Sequence, residues 1–194
     1  MTRKNIKRCV WPGEDQDIIK YHDNIWGVPV HNDKQIFKFF VLDTFQAGLS
    51  WSIIWHKERG FAKAFAGYDY TKVAKFDKRK INSLIKDTSI IRNRLKILAT
   101  INNAQRFIEI RKEFGSFEKY IWQFTNNKPL MNKWKTMKQI PNFTKESDAM
   151  SKDLKKRGFK FVGTTICYAF MQGIGMVNDH TMDCFRYREI NKFK

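Results

Sequence analysis

The sequence predicts an all-α fold, in one domain or two fused helical lobes. Apolar residues recur at helical spacing through most of the 194 residues, and no period-2 alternation runs long enough to build a sheet. Capping residues also precede the apolar runs repeatedly, with glycines at or just past several of their ends. At 42% hydrophobic and 15% aromatic, the chain has enough apolar surface for a real core.

Taken in order, Asn32 or Asp33 is placed to cap a helix running to about Gly48. Ser50 can cap a second helix through Phe65, rich in Trp and Ile, and a connector at 67–76 follows. Asp77 opens a helix to about Lys86, and residues 90–114 read as a long amphipathic helix ending at Gly115. Ser116 starts a short aromatic helix, FEKYIWQF. Residues 125–146 hold two of the four prolines and several Asn and Lys, and read as an irregular, exposed connection. Ser147 then caps a helix to about Arg157, and ICYAFMQGIG follows after a short glycine-bounded turn. There is no internal repeat and no low-complexity segment.

One residue breaks the pattern. In FFVLDTFQAGLSW, Ile36, Phe39, Phe40, Asp43 and Ala47 share a stripe, so a carboxylate stands where an apolar residue is expected. Burying it without a partner costs several kcal/mol, so Asp43 is paired, protonated, facing a cleft or kept for a purpose.

The 37 Lys and Arg against 19 Asp and Glu give a formal charge of +18, which makes a polyanion, nucleic acid first, the natural partner. The longest apolar run, residues 163–177, falls short of the ~20 residues a membrane span needs. The charged N-terminus MTRKNIKRCVWPGED has no signal-like apolar region, and three cysteines are an odd count for a disulfide framework. A cytoplasmic protein is expected.

Three constellations carry chemistry. Cys9 and His22 near one end, with His180 and Cys184 in HTMDC near the other, make a complete tetrahedral zinc set, the plain alternative being a surface histidine and small buried thiols; the last two, four apart, would share one helix face. Cys167 reads as a plain core thiol. In KKRGFKFVGTT, residues 155–165, Gly158 and Gly163 lie five apart between two helices, which suits a hairpin whose outward N–H groups bind phosphate, the plain alternative being an ordinary helix-turn-helix corner with a solvated basic face. Lys155, Lys156, Arg157 and Lys160 would add salt-dependent attraction. Trp11, Tyr21 and Trp51 could sandwich a flat base whose edge Asp43 reads, the plain alternative being core packing.

At these residues the chain resembles the bacterial 3-methyladenine DNA glycosylase I family. The matching stretches are RCVW (8–11), YHDNIWGVP (21–29), QAGLSW (46–51), IIRNRLKI (90–97), LKKRGFKFVGTTICYAFMQ (154–172) and VNDH with its following Cys184. The resemblance implies a helix-hairpin-helix glycosylase fold over residues 1–194, with the hairpin at about 147–175 and a structural zinc tying the termini through Cys9, His22, His180 and Cys184. It implies a base pocket of Trp11, Tyr21 and Trp51 with Asp43 as the catalytic carboxylate. Gly48 and Leu49 would wedge into the DNA gap, and Gly158, Lys160, Gly163 and Thr164 would hold its backbone. The implied partner is double-stranded DNA carrying an alkylated base, bound by a monomer.

The chain departs from the family's pattern in having Asp43 where Glu is usual and Ile25 where an acidic residue is usual. These departures keep two alternatives open, a damage-binding protein that does not cleave and a glycosylase for another modified base. Asp179, beside His180, is expected to support the zinc site. The hairpin shows no lysine suited to act as a Schiff-base nucleophile, so monofunctional hydrolysis is expected.

Overall fold

Most helices among the described residues begin where a side chain accepts the first free N–H groups; those at Glu58–Ala64, Thr164–Gly173 and Phe185–Ile190 do not. In the computed structural model, which describes residues 6–193, Asp15 caps α1 (Gln16–Asn24) and Asn32 caps α2 (Asp33–Gln46). Ser50 caps α3 (Trp51–His56), which stops at Lys57, and α4 (Glu58–Ala64) then sets off in a new direction. The single helix expected from Ser50 to Phe65 is therefore two. Gly60 shows why the second must approach so closely: a Cβ there would lie 2.3 Å from the Ser89 carbonyl oxygen. The expected connector at 67–76 contains a further short helix, α5 (Tyr70–Val73), capped by Asp69.

Asp77 caps α6 (Lys78–Lys86) as expected, whereas the long helix α7 (Arg94–Phe114) starts four residues later than its apolar pattern, because Asn93 is the residue able to cap it. Ser116 caps α8 (Phe117–Trp122). The next correction is chemical: Thr144, not Ser147, caps α9 (Lys145–Lys156), and Ser147 is the third helical residue, its hydroxyl accepting from the Thr144 N–H in a capping box. After a tight turn comes α10 (Thr164–Gly173), and α11 (Phe185–Ile190) closes the order.

Residues 125–146 are less irregular than their composition implies. Leu130–Met131 (β1) pair in parallel with Val177–Asn178 (β2), a two-residue ladder too short for alternation to announce. The charged N-terminal reading falls partly on residues 1–5, outside the described residues. No helix among the described residues is long and apolar enough to cross a membrane.

Helix α2 runs through the middle of the core, with every residue from Phe39 to Phe45 buried, and α7 and α10 pack against it. Phe107 stacks on Phe117 at 3.9 Å, and Phe40 meets Phe117, Phe159 and Phe170 edge-on. Full burial of each such side chain is worth about 1.5–3 kcal/mol, so α2 is fixed by packing and its polar residues point where the fold puts them.

Candidate active site and metal centre

Asp43 is 3% exposed, yet its Oδ2 has no hydrogen-bond partner. It faces a cavity of about 170 Å³ lined by Trp11, Tyr21, Trp26, Asp43, Gln46, Trp51, Met137, Ala169 and Gln172. Burial alone pushes the Asp43 carboxyl well above its usual range, and no cationic side chain offsets this. Four buried atoms of residues that line this cavity are unpaired: the acceptors Asp43 Oδ2 and Gln46 Oε1 and the indole donors Trp11 Nε1 and Trp51 Nε1. A buried polar atom left unpaired costs about 1–3 kcal/mol, so four at one place mark a surface made for a ligand that donates and accepts.

The walls are aromatic. Tyr21 lies 5.1 Å from Trp51 and 4.3 Å from Trp55, and Trp11 meets Trp26 edge-on at 5.1 Å. Burial, and secondarily the charge of Asp43, push the Tyr21 phenol up, so it stays neutral as a stacking surface and donor. The structure thus brings the four residues singled out in the sequence, Asp43, Trp11, Tyr21 and Trp51, to one cavity. Gln46 was missed, although its place one helical turn after Asp43 was a signal that could have found it; Trp26, Ala169, Gln172 and Met137 gave no such signal, because three distant segments supply them.

Met137 reaches the cavity through a buried carboxylate. Asp179 accepts hydrogen bonds of 2.7 Å from Asn132, Trp134, Tyr168 and Gln172, tying the 125–146 segment to α10. Contrary to the expectation from its neighbour His180, it does not support the Cys/His cluster; its lone pairs are taken by these four donors, of which Gln172 lines the cavity. That role falls to Asp23, whose Oδ1 lies 2.8 Å from His22 Nδ1 and which Arg8 grips with a two-pronged fork. Burial opposes ionisation of Asp23, but the bonds from Arg8 and His22 outweigh it and hold the carboxyl below its usual range.

Cys9, His22, His180 and Cys184 are all buried, with their ligand atoms within 4.8 Å of one another. Cys184 Sγ lies 3.6 Å from both His22 Nε2 and His180 Nδ1, and Cys9 Sγ 3.7 Å from His180 Nδ1. Metal–sulfur bonds of about 2.3 Å and metal–nitrogen bonds of about 2.0–2.1 Å in a tetrahedron give edges of this size. The second nitrogens are committed, His22 Nδ1 to Asp23 and His180 Nε2 to the Trp26 carbonyl at 3.2 Å, which leaves Nε2 of His22 and Nδ1 of His180 as the unprotonated pair. Burial pushes the His180 pKa down, favouring the neutral ring a metal requires. These four residues can hold a metal ion. His180 and Cys184 converge through the turn before α11 rather than along a helix face.

At the α9–α10 corner, Gly158 takes φ +84° and ends α9. The hairpin's N–H groups do not all point outward as expected. Lys160 N donates to Asn103 Oδ1, and Asn103 and Asn102 donate in return to the Lys160 and Gly158 carbonyls. Gly163, Thr164 and Thr165 keep N–H groups with no acceptor among the described residues, at the N-terminus of α10. Lys155, Lys156 and Lys160 are exposed, but Arg157 is engaged by Glu113 and Asp153. Gly48 takes φ +76° and Leu49 is 37% exposed at the end of α2, while Cys167 is buried in the core as expected.

Against this geometry, the pattern that defines the methyladenine glycosylase family matches residues 11–187. The chain belongs to that family. It is 43% identical over 182 residues to DNA-3-methyladenine glycosylase 1 of Escherichia coli (strain K12), covering 94% of this chain and 97% of that one. Among solved structures, a 3-methyladenine DNA glycosylase I superposes with TM-score 0.90 at 41% identity, covering 92% of this chain and 98% of the other. A Tyr-to-Phe variant of a 3-methyladenine DNA glycosylase I in complex with 3-methyladenine superposes with TM-score 0.89 at 31% identity, covering 92% and 96%. The family match runs from Trp11 through the α9–α10 corner to the turn that holds Cys184, so it spans the cavity and all the metal-ligand residues but Cys9.

Proposed function

We infer that this protein is a DNA repair glycosylase that hydrolyses the N-glycosidic bond of 3-methyladenine in alkylated duplex DNA. The observation that carries the reading is the aromatic cavity with an unpaired buried carboxylate, in a chain of the methyladenine glycosylase family.

Methylation at N3 gives adenine a positive charge and weakens its bond to the sugar, so the leaving group needs little help from a general acid. Recognition and extrusion are the harder tasks. Flipping a base costs a few kcal/mol, least for a damaged one, and stacking against Tyr21, Trp11 and Trp51 offsets it. Asp43 Oδ2 and Gln46 Oε1 accept from the exocyclic amine edge, and the two indole N–H groups donate to ring nitrogens. A carboxylate desolvated in the empty pocket regains a counter-charge when a cationic base enters, and neutral adenine supplies none. The bond then breaks through an oxocarbenium-like sugar, and water adds at the anomeric carbon. Asp43 acts as electrostatic reader of the base while the bond to it breaks.

The α9–α10 corner serves as a helix-hairpin-helix that binds the DNA backbone, phosphate meeting the free N–H groups of Gly163 and Thr164 with Lys160 alongside. Leu49, beside Gly48, fills the space the extruded base leaves. Zinc is the metal that a buried Cys₂His₂ tetrahedron selects, and four protein ligands leave no position for an activated water, so its role is structural. The chain acts as one domain and as a monomer.

The test is incubation of purified protein with methylated duplex DNA and chromatography of what is released. Free 3-methyladenine with an abasic but unbroken strand is expected. Strand scission without added base, or tight abasic-duplex binding with no base released from any alkylated substrate, contradicts the reading.

A further inference from the structure

The end of α2 lacks the usual means of satisfying its last carbonyls. Its final turn holds no basic residue, and Ala47 leaves the helix at φ −46°, ψ 113°. A helix C-terminus exposes carbonyls carrying partial negative charge, and here they are covered by protein. The missing donor comes from another helix. Lys96 on α7 is 5% exposed, and its Nζ donates to the Phe45 carbonyl at 2.8 Å and the Ala47 carbonyl at 2.5 Å. The carbonyl between them, Gln46, accepts from Leu49 N at 2.6 Å. Three consecutive carbonyls are thus tied off, and the chain turns through Gly48 to present Leu49 outward.

We propose that Lys96 is a positioning residue for DNA engagement: its ammonium caps α2 from across the fold and holds the Ala47–Leu49 turn in the shape that enters the duplex. The inference rests on the reading of Leu49 as the wedge. Lys96 is buried and spent on carbonyls, so it offers no charge to a phosphate. Asp43 and the α2 residues before it are fixed by core packing, and Gln46, whose carbonyl accepts from Leu49 rather than from Lys96, is the one α2 cavity residue at the tied-off end. Lys96 therefore governs the step that needs DNA and leaves the pocket for a free base intact.

Lys96→Met keeps the stem and removes the donors. Expected results are a Kd for free 3-methyladenine, read by tryptophan fluorescence, within about threefold of wild type, and base release from methylated duplex at least tenfold slower. A phosphate contact would lower the slope of log affinity against log salt by about 0.9, and Lys96→Met should leave that slope unchanged. Duplex activity within twofold of wild type, an equal loss of free-base binding, or a reduced salt slope overturns the proposal. Should Lys96→Met fail to fold, Lys96→Arg decides: two guanidinium N–H groups can serve both carbonyls, so Arg should keep at least a third of duplex activity, and a tenfold loss with free-base binding kept overturns it. Leu49→Ala separates the two readings. If it shares the duplex-specific loss, both stand; if it is fully active beside a failing Lys96→Met, the wedge reading falls and the hold of Lys96 on the turn stands.

Discussion

At the scale of residues, Asp43 carries the account. Helical periodicity made it conspicuous without deciding its purpose, since a satisfied core carboxylate reads the same way in a sequence. Its unpaired Oδ2 and the three unpaired atoms beside it separate the cases. They lie on residues 11, 43, 46 and 51, whose convergence no local pattern encodes; Met137 and Gln172 join them through Asp179, and that link was misread because sequence adjacency to His180 hid it. A stability prediction follows from burial. A carboxyl whose folded pKa is raised binds its proton more tightly folded than unfolded, so its contribution is present in acid and is lost as pH rises from the ordinary carboxylate range through the raised folded value. Asp43→Asn should therefore raise the melting temperature at neutral pH, with the gain shrinking towards acid pH; thermal melts across that range check it. The site trades stability for recognition. Asp43→Glu, with the side chain more usual in the family, should keep base release within about tenfold, a loss of about 1.4 kcal/mol of transition-state stabilisation at most.

At the scale of elements, α2, α6 and α8 were legible because their caps are local side chains, whereas α1, α5 and α11 were not read and the remaining boundaries were misplaced. Ser147 looked like a cap, but Thr144 three residues earlier makes the reciprocal pair with it, and the helix expected from Ser50 to Phe65 is broken at Lys57, with Gly60 just beyond the break packed on Ser89, a long-range contact no periodicity records. The α9–α10 corner separates two glycines of different kinds. Gly158 has φ +84°, so Gly158→Ala should cost about 1–2 kcal/mol of stability, read by denaturant unfolding. Gly163 has an ordinary φ of −61° and open space around a Cβ, so Gly163→Ala should fold normally yet weaken duplex affinity, because the methyl stands beside the N–H groups proposed to bind phosphate. Lys160→Ala should lower the salt slope by about 0.9 in titrations of duplex affinity, the signature of one fewer phosphate neutralised by the protein.

At the scale of the whole molecule, the Cys/His cluster able to hold a metal joins residues 9 and 22 to residues 180 and 184. Their chemistry was legible, since two Cys and two His are a full set, but their geometry was not: His180 and Cys184 converge on a turn, and Asp23 with Arg8 provides the support. A metal held there would cross-link two distant parts of the chain and remove a large loop entropy from the unfolded state, so it should matter far more to stability than to the pocket. Elemental analysis should find one zinc per chain. Chelation or Cys184→Ala should lower the melting temperature, while the folded fraction retains its affinity for free 3-methyladenine.

The most direct measurement is single-turnover release of 3-methyladenine from methylated duplex DNA by the wild-type protein and by Asp43→Asn, with both shown to be folded by their melts. The account predicts release by the wild type and a loss of at least about 100-fold in the variant, or about 2.7 kcal/mol of transition-state stabilisation. Undiminished release by Asp43→Asn would contradict it.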